Sequence, residues 1–321
     1  MERDGREIRI SFREAETGGG VRRNPQGGPS LFAARRLLLL VHGFNVDARE
    51  AADTYDGFAE MQRTLIGETD GDYAEGRLVV RVLWPGDAGW GIASPLFYPW
   101  SIGRAKETAE ALAENLRLAY RSGLLLEIDV IAHSLGCRVA LETIRCLHEG
   151  KDGPAVRRVV LMAGAVPTFM LGDVPDARLR RAYDATLRDP SPALSLFSGR
   201  DGVLSWAFPL GQTAAGGGEG FLPTALGHEE WESGDAPANL LQREIENAGH
   251  SDYWGHRREI NWSSPWKAGR LARSFLGLEP LMRREVEDWS RPGRETAESR
   301  AEIAERERPA RMAGGYDAGD P

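Results

Sequence analysis

The sequence predicts an α/β fold, a doubly wound and mostly parallel sheet flanked by helices, with loop insertions over the carboxyl ends of the strands. Short continuous apolar runs rich in Leu, Val and Ile recur along the chain and end in loop residues, as strands buried on both faces do. Between them apolar residues return every three or four positions, the period of an amphipathic helix. Parallel neighbours require such crossovers, so the alternation itself implies the sheet type. At 321 residues the chain fits one large domain with insertions, and that domain is expected over residues 1–282.

The elements follow in order. Ile8, Ile10 and Phe12 alternate with polar neighbours over Arg6 to Phe12, a half-buried strand, and the stretch from Gly18 to Pro29 breaks any regular pattern. Leu37–Val41, Leu78–Leu83 and Leu125–Ala132 are the apolar runs, the second interrupted by Arg81 and the third by Glu127 and Asp129. Ala105, Ala109, Leu112, Leu116 and Ala119 form one helical stripe, and Leu135, Val139, Ile144 and Leu147 form another. Val156–Met162 and Ala193–Phe197 read as further strands, with a helical pattern over Arg178–Leu187 between them. Two insertions follow strand ends, at about residues 84–104 and 203–239. In such sheets the site lies at the carboxyl ends of the strands, where both insertions are placed to cover it. Beyond residue 282, seven Arg and eight Asp plus Glu fall between Arg283 and Arg308 with almost no large apolar residue. Residues 283–321 are therefore expected to be a solvated helix or a flexible tail.

With 41% hydrophobic and 27% charged residues the composition is that of a soluble globular protein. A net charge of −8 and a pI near 5.4 argue against a nucleic-acid partner, which needs a basic face to displace the counterions around phosphates. Uninterrupted apolar runs such as Leu37 to Val41 are too short to span a bilayer, and no apolar segment of a secretory signal stands near the start. Cys137 and Cys146 fall nine residues apart on one predicted helix, farther than a disulfide reaches at about 1.5 Å of rise per residue. Two free thiols in a reducing compartment are expected, and the cytoplasm is the default location.

The sharpest chemical signal is Val130-Ile131-Ala132-His133-Ser134-Leu135-Gly136-Cys137, where a strand runs in and a helix runs out. That is the context of a nucleophile elbow, G-x-S-x-G, whose tight turn thrusts a hydroxyl into the cleft and needs small residues two before and two after it. Gly136 supplies one of these, and Ala132 stands in for the other. The plain alternative is that Ser134 only caps the helix. A second signal lies about ninety residues upstream, where the apolar strand Leu37–Val41 ends in His42-Gly43-Phe44-Asn45.

On these two motifs the sequence resembles the α/β-hydrolase superfamily, and in particular its poorly characterised bacterial serine-hydrolase branches. The resemblance covers about Ala34 to Trp254. It implies that the oxyanion hole is formed by the backbone N–H groups of Phe44 and Leu135, with the His42 side chain shaping the loop. It also implies the order Ser, then Asp or Glu, then His, because a serine needs a base and the base needs a carboxylate to fix its tautomer. Asp201, just beyond the strand Ala193–Phe197, falls where the acid of these enzymes sits. An Asp-Gly turn is the plain reading of that residue, and Asp173 and Asp176 are alternative acids. For the base, Asn247-Ala248-Gly249-His250-Ser251-Asp252-Tyr253-Trp254 is similar to the family's final His loop, with His228 second.

Trp84, Trp90 and Tyr253 are candidate walls of an apolar substrate pocket, and packing of the loops themselves is the competing account. The sequence lacks H-E-x-x-H, C-x-x-C and P-loop patterns, so no metal or nucleotide cofactor is expected. The resemblance implies a cofactor-independent serine hydrolase acting on a small-molecule or lipid ester. An acyltransferase or thioesterase would use the same residues, and a binding module that has lost its chemistry is the reading from another class.

Overall fold

A computed structural model describes residues 7–67, 72–87, 98–171, 192–208, 224–230, 236–237, 239–254 and 263–278. Eight strands form one sheet: β1 (Glu7–Arg13), β2 (Val21–Gln26), β3 (Arg36–Val41), β4 (Leu78–Leu83), β5 (Glu127–His133), β6 (Ala155–Met162), β7 (Ala193–Phe197) and β8 (Leu240–Glu244), in the order β2-β1-β4-β3-β5-β6-β7-β8. Every neighbouring pair is parallel except β1 and β2. This is the predicted architecture. The central runs behave as their composition demands: all six residues of β4 and five of the six in β3 are buried.

Among the described residues four α-helices cover the sheet: α1 (Ala48–Leu65), α2 (Tyr98–Arg121), α3 (Gly136–Gly150) and α4 (Ser263–Leu276). α2 packs on α3, and α1 packs on α4. That division follows from right-handed crossovers running in opposite directions, from β3 out to β4 and then from β4 back to β5. The chain leaves β3 toward one side of the sheet and leaves β5 toward the other. The carboxyl ends of β3 and β5 therefore flank the point where strand order reverses, and a crevice opens there.

Several elements depart from the pattern read off the sequence. β2 lies within the stretch from Gly18 to Pro29 expected to be irregular, because only one of its six residues is buried and an edge strand needs no apolar run. β8, a second edge, follows the later insertion. α1 starts with Asp47, whose carboxylate accepts from the N–H groups of Arg49 and Glu50 at 2.8 Å each, while Glu50 accepts from the Asp47 N–H at 3.2 Å. This reciprocal cap starts a helix that the apolar pattern did not single out. α2 begins at Tyr98, inside the first expected insertion. Both cysteines lie on α3 and both are free. Among the described residues no helix is long and apolar enough to cross a membrane. The helical pattern expected over Arg178–Leu187, residues 88–97 of the first insertion, most of the second and the tail at 283–321 lie outside the described residues.

Candidate active site

β5 ends at His133, and Ser134 then takes the left-handed conformation at φ 53°, strained for a residue with a side chain. Leu135 returns to the right-handed region, and α3 starts at Gly136. The reversal is pinned from both sides. The Ser134 N–H donates to the Met162 carbonyl at 2.9 Å, and the Ser134 carbonyl accepts from Cys137 and Ala165 at 3.1 and 3.2 Å. A Cβ on Gly136 would stand 2.2 Å from the His42 carbonyl oxygen, so only glycine lets the helix start this close to the end of β3. Ala132 is fully buried in extended backbone between Val41 and Leu161, where a methyl group fits.

Ser134 Oγ lies 2.7 Å from His250 Nε2, and His250 Nδ1 lies 2.7 Å from Asp201 Oδ2. Ser134 and Asp201 are buried and the His250 side chain between them is 17% accessible. The second carboxylate oxygen of Asp201 accepts from the N–H groups of Val203 and Leu204 at 3.1 and 3.0 Å, so its orientation is held by backbone. A carboxylate only accepts, which places the His250 proton on Nδ1 and leaves Nε2 to accept from the serine hydroxyl. The structure thus brings together Ser134, Asp201 and His250 from the ends of β5, β7 and β8. Asp173 and Asp176 lie outside the described residues. His228 is half-buried in the segment 224–230, and its Nδ1 has no hydrogen-bond partner among the described residues.

The loop after β3 carries Phe44 on a tight path, with Asn45 at φ 55° and its N–H bonded to the Gly86 carbonyl at 3.0 Å. A Cβ on Gly43 would stand 2.9 Å from Ser134 Cβ, so this turn lies against the nucleophile. Arg13, at the end of β1, donates to the carbonyls of Trp84 and Val46 and pairs with Asp87, whose other oxygen accepts from the Gly18 N–H at 2.7 Å. Arg13 thereby ties the loops after β3 and β4 together. The sequence carries no signal for it beyond a charge at a strand end. Leu135, the residue after Ser134, precedes α3 and has no intrahelical acceptor for its N–H.

Two of the expected pocket walls are core residues instead. The Trp84 ring is fully buried, stacks on His42 at 5.7 Å between centroids and donates from its indole nitrogen to the His42 carbonyl at 2.8 Å. Tyr253 is fully buried as well, and its neighbour Trp254 packs on Tyr55 and Phe58 at 5.4 and 5.1 Å. Both aromatic residues anchor irregular loops to the sheet, and a loop without regular packing of its own needs such an anchor. Trp90 lies outside the described residues. Among the described residues no three His, Cys, Asp or Glu side chains come together to hold a metal ion.

His42 is buried, and burial pushes its imidazole down from 6.5 to about 4. Its Nε2 accepts from the Trp84 N–H at 3.3 Å, so its proton sits on Nδ1, which donates to the Gly43 carbonyl at 2.9 Å. Because the folded value lies below the unfolded one, the unfolded chain takes up a proton first as pH falls. The stability held by neutral His42 is complete above pH 6.5 and is lost as pH falls through the folded value near 4. The full loss is about 3 kcal/mol. Urea unfolding at pH 7 and pH 4.5 should therefore show a smaller drop in stability for His42→Gln than for the parent chain, and equal drops would contradict the assignment.

The family model described as "Alpha/beta hydrolase of unknown function (DUF900)" matches residues 31–203, a little over half of the chain. The match includes β3, the Ser134 turn and Asp201, and ends before His250. No curated protein matches this sequence. Among solved structures the chain is similar to the lin2722 gene product of Listeria innocua, at 13% identity over 77% of this chain and 96% of that one, with a TM-score of 0.41. It is similar to the carboxylesterase CesB of Bacillus subtilis at 14% identity over 76% and 84% of the two chains, with a TM-score of 0.36. The RedJ thioesterase of the prodiginine pathway in Streptomyces coelicolor stands at 14% identity, 76% and 91% coverage and a TM-score of 0.40.

Proposed function

Because the chain belongs to the alpha/beta-hydrolase family of unknown function DUF900, we propose that it is a serine hydrolase cleaving a carboxylic ester through an acyl-enzyme on Ser134. One observation carries this reading: the hydrogen-bonded line from Ser134 Oγ through His250 to Asp201, 2.7 Å at each step. A helix cap alone would have no need of a histidine on the serine hydroxyl, nor of a buried carboxylate behind that histidine.

In the reaction, Oγ attacks the ester carbon while its proton passes to His250 Nε2, and the carbonyl electron pair moves onto oxygen. The Leu135 N–H, at the positive end of the α3 dipole, and the Phe44 N–H receive that oxyanion. When the intermediate collapses, the bond from carbon to the alcohol oxygen breaks and His250 returns the proton to the departing alcohol. Water then loses a proton to the same nitrogen and attacks the acyl carbon. The serine ester bond breaks, Oγ takes the proton back, and the carboxylic acid leaves. Asp201 accepts from Nδ1–H throughout and stabilises the imidazolium formed in each half-reaction.

An alkyl fluorophosphonate probe tests the reading directly, because it phosphonylates a serine only where a base activates the hydroxyl. We expect one adduct, located by peptide mass spectrometry on Ser134, and hydrolysis of short p-nitrophenyl esters by the unlabelled protein but not by the labelled one. A chain that neither labels nor turns over such esters would sink the proposal.

A further inference from the structure

We infer that His133 is a positioning residue that sets the base loop against the nucleophile, an inference that rests on the serine-hydrolase reading above. His133 closes β5 one residue before Ser134, and its Nε2 lies 2.8 Å from the main-chain oxygen of His250. The imidazole of His250 in turn lies 2.7 Å from Ser134 Oγ. Two consecutive residues at one strand end thus hold residue 250 at both its main chain and its side chain. A carbonyl oxygen only accepts, so His133 Nε2 carries a proton and donates.

The ring of His133 is itself well placed. Its centroid lies 5.3 Å from that of His250, 6.2 Å from Tyr253 and 6.1 Å from Trp254. Its other nitrogen, Nδ1, faces Gly43, where a Cβ would come within 3.0 Å of it. His133 therefore stands between the loop after β3 and the loop after β8. The latter is fastened upstream by the Ile245 N–H to the Phe197 carbonyl at 2.8 Å and downstream by Trp254 against α1. Between those two fastenings His250 sits on a turn, and the His133 bond ties that turn directly to the strand bearing the nucleophile. Proton transfer from Oγ is steep in distance, and a displacement of about 1 Å at such a pair costs about a hundredfold in rate.

The test compares His133→Phe, His133→Asn and His133→Gln with the parent chain. Phe keeps the ring and loses the donor, Asn places its amide one methylene short, and Gln carries an N–H donor to the reach of Nε2. The readouts are the second-order rate of Ser134 labelling by the fluorophosphonate, kcat and KM for p-nitrophenyl acetate, and the melting temperature. For Phe and Asn we expect labelling and kcat to fall about tenfold to a hundredfold with KM within about twofold of the parent, and for Gln a return to within about fivefold. Should His133→Phe fail to fold, the comparison of Asn with Gln carries the test. Gln as slow as Asn, or a loss that follows melting temperature in all three variants, overturns the inference in favour of packing alone. A parent that labels beside Phe and Asn variants that label equally fast overturns this inference and leaves the hydrolase reading standing. A parent that does not label overturns both.

Discussion

Replacing Ser134 by alanine should abolish ester hydrolysis, with a loss on the order of 10⁶ in kcat, as for removal of the nucleophile in a serine protease. The expectation follows from chemistry with no substitute nearby. His250 Nε2 would have only water to activate, and the acyl-enzyme route closes. Stability should change by no more than about 1 kcal/mol, because a single hydrogen bond is lost and the partly exposed imidazole can take a water in its place. The φ of 53° at this position is as strained for alanine as for serine, so the backbone gains no relief. Kinetics on p-nitrophenyl butyrate beside a thermal melt check both halves. Retained turnover in a folded variant would remove Ser134 from the reaction.

Asp201→Asn should cost about 10⁴ in kcat/KM, the size of the corresponding change in a serine protease, and here the surroundings of the residue say why. One carboxylate oxygen is committed to the N–H groups of Val203 and Leu204. Asparagine has one oxygen, and turning its NH2 toward those two donors would set donor against donor in a fully buried place. Its oxygen therefore stays on the backbone and its NH2 faces His250 Nδ1. That nitrogen must then accept, the imidazole proton moves to Nε2, and Nε2 no longer takes a proton from Ser134. The backbone bonds that hold the turn survive, so folding should be nearly unchanged. Measured kcat/KM within about tenfold of the parent, in a variant with an unchanged melt, would mean that Asp201 serves only the turn.

Much of the fold was written locally. Leu37–Val41, Leu78–Leu83 and Ala193–Phe197 are strands because short, mostly apolar runs, broken only by Arg81 and Ser195, suit a sheet covered on both sides, and the structure places them at the centre or one strand from the edge. The turn at Ser134 was legible for the same reason, since an apolar strand, a serine, a glycine and a helical period follow one another without a gap. Asp201 and His250 were chosen through resemblance, because nothing in a sequence says which carboxylate meets which imidazole.

Other features had no local signature at all. β2 buries one residue of six, so its pairing comes from the neighbour's unsatisfied backbone groups and leaves no apolar pattern. Trp84 and Tyr253 read equally well as pocket walls or as anchors, and only their zero exposure decides for anchors. Arg13 and His133 act through carbonyl oxygens of distant loops, contacts that any residue type can offer and that no motif can encode.

The sequence by itself determined the alternation of strand and helix and the tight turn that presents Ser134, because burial on two faces and a strand-to-helix reversal restrict the residues that form them. Tertiary structure brought Asp201 and His250 to that turn, laid the His42 carbonyl against Gly136 and set Arg13 across the loops after β3 and β4. Their meeting depends on strand order and on the reversal between β3 and β5: His250 stands 49 positions from Asp201 and 116 from Ser134, and contacts of that span are set by the topology of the whole sheet.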